Sequence, residues 1–377
     1  MSNILFIIDT LNIGGAERSL LEITAKFKRY KPIFVHLFNG EDLKNEFIES
    51  GVEVLSLNET PSNNFKHLSE LVLELIKDKK VSLIHSTLYR SDQVGRKLKA
   101  KLKVPLINSL VNNSYSKSRY KSLGLLGKAK LFAYQLYDRW HSSIPDLYIS
   151  NSESIKCSNA SALDLNLDKV IVVYRGRNKN SFLSVTEETI LQLKKQLDLI
   201  DNVVFINVSR LLERKGQKDL LYAFKEFKRK EPRAKLLIVG DGILKETLER
   251  LIQQLHMEQS VVLLGHRGDI PALLKASNYF IFPSYFEGLP GALIEAMFAK
   301  VPIIASSISE NLECIDNTMA ITFKVGNVDD MTNAMLKATQ TSNWREKTEK
   351  AYSTANEKFD IESISNRYEL IYDSILK

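Results

Sequence analysis

The chain predicts an α/β protein built from two doubly wound domains facing each other across a cleft. Short apolar runs alternate from end to end with longer stretches of helical spacing, which is the pattern of parallel α/β layers. The runs fall into two sets, each large enough for a sheet. The length of 377 residues gives each set a core of ordinary size.

In the first half the strand candidates are Ile4 to Asp9, Ile33 to Phe38, Val52 to Leu57, Val81 to His85, Leu106 to Val111, Leu147 to Ser150 and Val170 to Tyr174. Helical stretches separate most of them. After the first strand, Gly14-Gly15-Ala16-Glu17-Arg18 opens a helix through Leu20, Leu21 and Ile23. Gly14 and Gly15 permit close approach of a phosphate or a substrate ring to the helix start, although a glycine pair at such a turn is often only a tight connection. The boundary is expected after Tyr174-Arg175-Gly176-Arg177-Asn178, where a strand ends in a polar stretch. This gives a first domain over 1–178 and a second over 179–360.

The second-half strand candidates are Val203 to Val208, Lys235 to Val239, Val261 to Leu264, Tyr279 to Phe282, Pro302 to Ala305 and Ile321 to Val325. Ligands of such sheets bind beyond the carboxyl ends of the strands, so a cleft between the domains is the default site. The closing segment, 361–377, carries Ile364, Tyr368, Ile371 and Ile375 at helical spacing and reads as an ordered helix.

Four loops in the second half carry candidate chemistry. The first strand runs into Ser209-Arg210-Leu211-Leu212-Glu213-Arg214-Lys215-Gly216, where Arg210, as a planar fork, and Lys215, as a point charge, can converge on a diphosphate. The alternative is a solvated basic loop. Gly240-Asp241-Gly242 and Gly265-His266-Arg267-Gly268 each follow a strand and can line a nucleotide pocket through backbone groups. Asp241 reads more readily as a helix cap, and His266 equally as a surface histidine or a contact with the base. The most informative run is Ser284-Tyr285-Phe286-Glu287-Gly288-Leu289-Pro290-Gly291-Ala292-Leu293-Ile294-Glu295. Here a strand, a Gly/Pro turn and a helix expected to begin at Pro290 direct free amides and a positive dipole end at an anion. Gly288 and Gly291 let the ligand approach, and Leu289 and Pro290 of the same turn are donor-binding candidates. Glu287 can accept from sugar hydroxyls, and Glu295 from the vicinal diol of a ribose. A dipole-favoured glutamate beside a solvated one would give the same spacing.

Composition bounds the rest. Hydrophobic residues make up 44% and charged residues 26%, the balance of a soluble globular protein. The apolar run Ile4 to Ile8 ends at Asp9, before a signal-peptide core or a membrane span forms, and no other stretch is long enough to span a bilayer. Cys157 and Cys314 have no metal-ligand spacing, fit a reducing cytoplasm and read as two inert buried thiols. The net charge of +7 is concentrated in two segments. One holds Arg96, Lys97, Lys99, Lys101 and Lys103; the other interleaves Lys117, Arg119, Lys121, Lys128 and Lys130 with Tyr115, Tyr120, Leu123, Leu125, Leu126, Leu131 and Phe132. Such a segment suits an anionic membrane surface or, equally, a solvated helix face. No nucleic-acid motif accompanies the charge.

Taken together, Gly14 to Glu17, Ser209 to Gly216, Gly240-Asp241-Gly242 and the Glu287 to Glu295 segment resemble the retaining glycosyltransferases of the GT-B type, family 4 (glycosyl transferases group 1), with two Rossmann-like domains. The resemblance implies that Arg210 and Lys215 bind the donor diphosphate, Glu287 the donor sugar and Glu295 the ribose, with Gly15 approaching the donor from the other domain. It also implies that the closing helix returns to the first domain. Many members carry a histidine after the strand equivalent to Leu106 to Val111. This chain has Val111-Asn112-Asn113 there, which leaves Asn112 and the earlier His85 as acceptor-side candidates.

The implied activity is hexosyl transfer from a nucleotide-diphosphate sugar to a lipid-linked or polysaccharide acceptor in cell-envelope biosynthesis, in the cytoplasm or on the inner face of the cell membrane. No Asp-x-Asp triplet occurs, so the expectation is metal-independent transfer without a cofactor. A nucleotide-sugar epimerase and a catalytically inactive sugar-nucleotide-binding scaffold are the competing readings.

Overall fold

The computed structural model of the protein describes residues 1–376, with every side chain among them except those at 117 and 118. Lys377 and the Lys117 side chain, both part of the expectations above, lie outside the described residues. The chain divides into two units, Met1–Arg177 together with Ile361–Lys377, and Asn178–Asp360.

The first unit contains β1 (Ser2–Ile8), β2 (Tyr30–Phe38), β3 (Glu53–Glu59), β4 (Val81–Thr87), β5 (Leu106–Leu110), β6 (Leu147–Ser150) and β7 (Val170–Val172). They form one parallel sheet in the order β3-β2-β1-β4-β5-β6-β7. Alternate residues of a strand face opposite sides, so Ile4, Phe6 and Ile8 pack into one core while Leu5 and Ile7 pack into the other. Both faces of the sheet are therefore covered. A continuous apolar run is what such a strand requires.

The helix Ile361–Leu376 belongs to this unit. Ile361, Ile364, Tyr368, Ile371 and Tyr372 join the core of Ile4, Phe6 and Ile8, each full burial being worth about 1.5–3 kcal/mol. Its buried Glu369 accepts from the backbone amides of Lys28 at 2.8 Å, Arg29 at 2.6 Å and Tyr30 at 3.3 Å. One carboxylate thus satisfies the turn that leads into β2.

The second unit contains β8 (Val203–Val208), β9 (Ala234–Val239), β10 (Val261–Gly265), β11 (Tyr279–Phe282), β12 (Ile303–Ser306) and β13 (Ala320–Phe323). Its parallel sheet runs β10-β9-β8-β11-β12-β13. The strand order reverses between β8 and β11 here, and between β1 and β4 in the first unit. At such a reversal the loops beyond the carboxyl ends part and leave a crevice.

Candidate functional site

The reversal of the second sheet brings together the two loops singled out above. Asn207 near the end of β8 donates from Nδ2 to the Ile281 carbonyl of β11 at 2.9 Å, tying the two strands at the crevice. Beyond them, Ser209 to Gly216 and Pro283 to Pro290 lie side by side, with the Tyr285 amide donating to the Arg214 carbonyl at 2.8 Å. Gly216 makes this approach possible. Its φ is +70°, and a Cβ there would stand 2.3 Å from the Pro283 carbonyl oxygen.

Lys215 sits in a short 3-10 turn, Glu213–Lys215, and is buried. Its Nζ lies 2.5 Å from Glu287 Oε1 and 5.4 Å from the centroid of the Phe282 ring. Arg214 reaches the other oxygen, Glu287 Oε2, at 3.3 Å, and donates to the Phe286 carbonyl at 3.0 Å. Burial alone would raise the Glu287 carboxyl, yet Lys215 and Arg214 outweigh it and hold the group below the ordinary glutamate value. Burial lowers the Lys215 ammonium, opposed by Glu287 and assisted by the charges of Arg214 and Arg210. Arg210 itself is exposed. Its backbone is pinned by Gln217 Nε2, which donates to the Arg210 carbonyl at 3.0 Å.

The glycines of the β9 loop serve this same stretch. Gly240 has φ +131° and Gly242 φ +155°, and a Cβ on either would meet the carbonyl oxygen of Ser209 at 2.1 Å or of Leu211 at 2.5 Å. The Leu211 amide donates to the Asp241 carbonyl at 2.8 Å. Asp241 is not a helix cap, contrary to expectation: the next helix, Lys245–Gln254, is preceded by Leu244, and Asp241 Oδ1 accepts from the Gly242 amide at 2.7 Å. Arg267 is engaged by Asp269 through two bonds of 2.8 and 2.6 Å, and His266 is exposed.

The expected helix after Glu287 forms, with its start displaced. It spans Gly291–Phe298, and Pro290 occupies the N-cap position with ψ 90° instead of the first helical turn. Leu289 is buried beneath the turn, and Glu295 is half-buried in the second turn. Gly288 and Gly291 are likewise half-buried. The helix start follows directly on the turn that carries Glu287, and its first amides suit an anion.

In the first unit the corresponding loops follow β1 and β4. Gly14 precedes the helix Gly15–Thr24 in an extended conformation, and a Cβ on Gly15 would stand 2.9 Å from Arg175 Nη1. Leu88, after β4, is held at φ +82° and ψ 152°, a conformation that costs a leucine on the order of 1–3 kcal/mol. Asp9 accepts from the Ser91 amide at 3.1 Å and hydroxyl at 2.7 Å, and burial raises its carboxyl. Beside Leu88 a cavity of about 60 Å³ is lined by Tyr89, Ser109, Asn112 and Asp138, with Asn112 exposed at its rim.

His85 does not stand on an acceptor surface. It is 0% exposed, with Nδ1 2.7 Å from the Tyr372 hydroxyl and Nε2 2.8 Å from Ser109 Oγ, and its ring stacks on Phe6 and Tyr368. Burial pushes its pKa down to about 3, so the ring is neutral. It joins β4 to the closing helix. Arg96 likewise leaves the basic surface: it is buried with Nη1 2.7 Å from Asp138. Lys99 pairs with Asp146 at 2.7 Å. Cys157 is exposed, against the expectation of two buried thiols, while Cys314 is buried.

Neither Arg214 nor Gln217 stands out in the sequence as a site residue. Both lie in or just after the Ser209 to Gly216 run. Proximity to that run was the available signal; the direction of each side chain comes from the turn.

Residues 191–358, which carry all of these second-unit loops, match the family model of the glycosyl transferases group 1. The match lies within the second unit. An uncharacterized glycosyltransferase of Methanocaldococcus jannaschii is 46% identical over 106 residues, 28% of this chain and 26% of that protein. An Escherichia coli UDP-Gal:alpha-D-GlcNAc-diphosphoundecaprenol alpha-1,3-galactosyltransferase is 27% identical over 277 residues, 71% of this chain and 68% of that one. The crystal structure of HepE from Anabaena in complex with UDP aligns over 99% of this chain and 100% of its own with a TM-score of 0.85 at 21% identity. That likeness shows the GT-B fold for this chain.

Proposed function

We propose that the protein is a retaining glycosyltransferase that moves a sugar from a nucleotide-diphosphate sugar to a lipid-linked or polysaccharide acceptor, without a metal ion. The observation that carries the reading is the Lys215, Arg214 and Glu287 cluster at the reversal of the second sheet, with the start of the helix Gly291–Phe298 beside it. It supplies fixed positive charge and backbone amides where a leaving diphosphate needs both. The UDP bound to HepE and the lipid diphosphate in the name of the Escherichia coli relative support the donor and acceptor classes.

In this reading the diphosphate lies against Lys215, Arg210 and the helix amides, Glu287 meets hydroxyls of the donor sugar, and Glu295 takes the ribose diol. The bond between the anomeric carbon and the phosphate oxygen breaks, and its electron pair leaves with the diphosphate. The acceptor hydroxyl forms the new bond from the same face and gives its proton to the departing phosphate oxygen. The protein contributes position and electrostatic stabilisation.

Thermal-shift titration with UDP, GDP, ADP and their sugars, with and without EDTA, tests the donor half. Stabilisation by one nucleotide should survive EDTA and disappear in Lys215→Ala and Glu295→Ala. No response to any nucleotide would favour an inactive scaffold. A rearranged free sugar formed without acceptor would favour the epimerase.

A further inference from the structure

The helix Leu125–Trp140 of the first unit is turned inside out for a water-facing element. Leu125 is 86% exposed, Leu126 89%, Phe132 55%, Leu136 50% and Trp140 84%. At 3.6 residues per turn these five side chains, with exposed Ala129 and Ala133 between them, occupy one stripe about 120° wide. The stripe cannot roll inward. Leu131 and Asp138, seven residues apart on the opposite side, are buried, and Asp138 is locked by Arg96 at 2.7 Å and by the Tyr115 hydroxyl at 2.9 Å.

Cations border the stripe. Lys130 lies along one edge and Lys128 and Arg139 along the other, and Lys121 in the preceding short helix is exposed as well. Arg139 shares its charge with Asp164 at 2.9 Å, and Lys130 lies 5.8 Å from the Tyr134 ring. An exposed apolar stripe of this size is a docking surface. A convex helix with an apolar face, a tryptophan at its end and lysines along both margins fits a bilayer interface, where the face enters the acyl boundary and the ammonium groups meet anionic headgroups.

We propose that the outward face of the helix Leu125–Trp140 docks the protein on an anionic lipid bilayer, with Leu125, Leu126, Phe132, Leu136 and Trp140 inserted and Lys128 and Lys130 at the headgroups. The face differs from the one the sequence suggested. Tyr115 and Leu131, both counted there among the interleaved apolar residues, point inward, whereas Leu136 and Trp140, which were not, complete the stripe.

The test is co-sedimentation of the full-length protein with vesicles of phosphatidylcholine alone or with phosphatidylglycerol added, in the absence of nucleotide, so that its failure is separate from failure of the donor reading. Wild type should bind the anionic vesicles, with a blue shift of Trp140 emission that is missing in Trp140→Phe. The combined variant Leu125→Gln, Leu126→Gln, Trp140→Gln should lose at least about tenfold in partitioning. Lys128→Glu with Lys130→Glu should lose a similar factor on anionic vesicles and little on neutral ones. All these side chains are exposed, so the unfolding midpoint should not move. A wild type that stays in the supernatant with anionic vesicles overturns the proposal. So does equal binding by the apolar variant, or a vesicle-free dimer that this variant converts to monomer, which would make the face a contact between copies.

Discussion

Lys215 and Glu287 form a buried pair, Nζ to Oε1 at 2.5 Å, closed across the point where the second sheet reverses its strand order. The pair comes from two loops that are distant in sequence, and each partner is costly to bury alone. Lys215→Met should therefore cost about 3 kcal/mol in urea unfolding, because Glu287 is left buried with Arg214 as its remaining cation among the described residues. The same variant should lose its thermal response to nucleotide. Retained stability and an unchanged response would mean that the pair neither braces the crevice nor meets the donor.

His85 makes unfolding sensitive to mild acid. Its folded pKa, near 3, lies below the unfolded value of 6.5, so below pH 6.5 the unfolded chain takes up the proton first. Its contribution is fully present above pH 6.5 and falls by about 1.4 kcal/mol per pH unit below that. Urea midpoints at pH 7.5 and 5.5 should differ less in His85→Gln than in wild type. Tyr372→Phe, which removes the hydroxyl 2.7 Å from Nδ1, should cost about 1 kcal/mol at neutral pH. Identical pH profiles in wild type and His85→Gln would remove the assignment.

Gly240→Ala places a Cβ where the Ser209 carbonyl oxygen stands 2.1 Å away, at φ +131°. The loop that carries Arg210 must shift. A loss of about 2–4 kcal/mol in stability is expected together with a weaker nucleotide response. Gly268→Ala serves as the control, since nothing lies within 4 Å of the added atom. Equal melting temperatures for the two variants would show that the loop yields without cost.

Asp138→Asn leaves the Arg96 guanidinium buried without its carboxylate. About 3–5 kcal/mol should be lost in denaturant unfolding. Replacing both groups by apolar ones, Arg96→Met with Asp138→Leu, should regain much of it, because no charge then remains to be buried. A double variant as unstable as the single one would assign the cost to the Tyr115 and Gln93 bonds instead, which Asp138 accepts at 2.9 and 3.2 Å.

The loops around the crevice were legible because they follow strands whose apolar character is written locally. Each of the thirteen strand candidates forms, with ends that move by up to three residues. Helix starts were less exact. Pro290 reads as a first-turn residue from its chemistry, but the close approach of Gly216 to Pro283 and the burial of Leu289 accompany a turn that ends one residue later. His85 and Arg96 misled for one reason. A polar residue within an element looks available until another element covers it, as the closing helix covers His85 and Asp138 covers Arg96.

The sequence by itself determined two parallel α/β sheets, the loops after β8 and β11 as the candidate site, and a basic, apolar-rich segment after β5. These follow from periodicity and turn chemistry, which act over a few residues. Only the tertiary structure decided that Glu287 is held by Lys215 and Arg214 together, that His85 is a neutral core group, and that Trp140 faces outward while Leu131 faces inward. Those outcomes depend on the direction of side chains and on which distant group removes water from them, and packing between elements sets both.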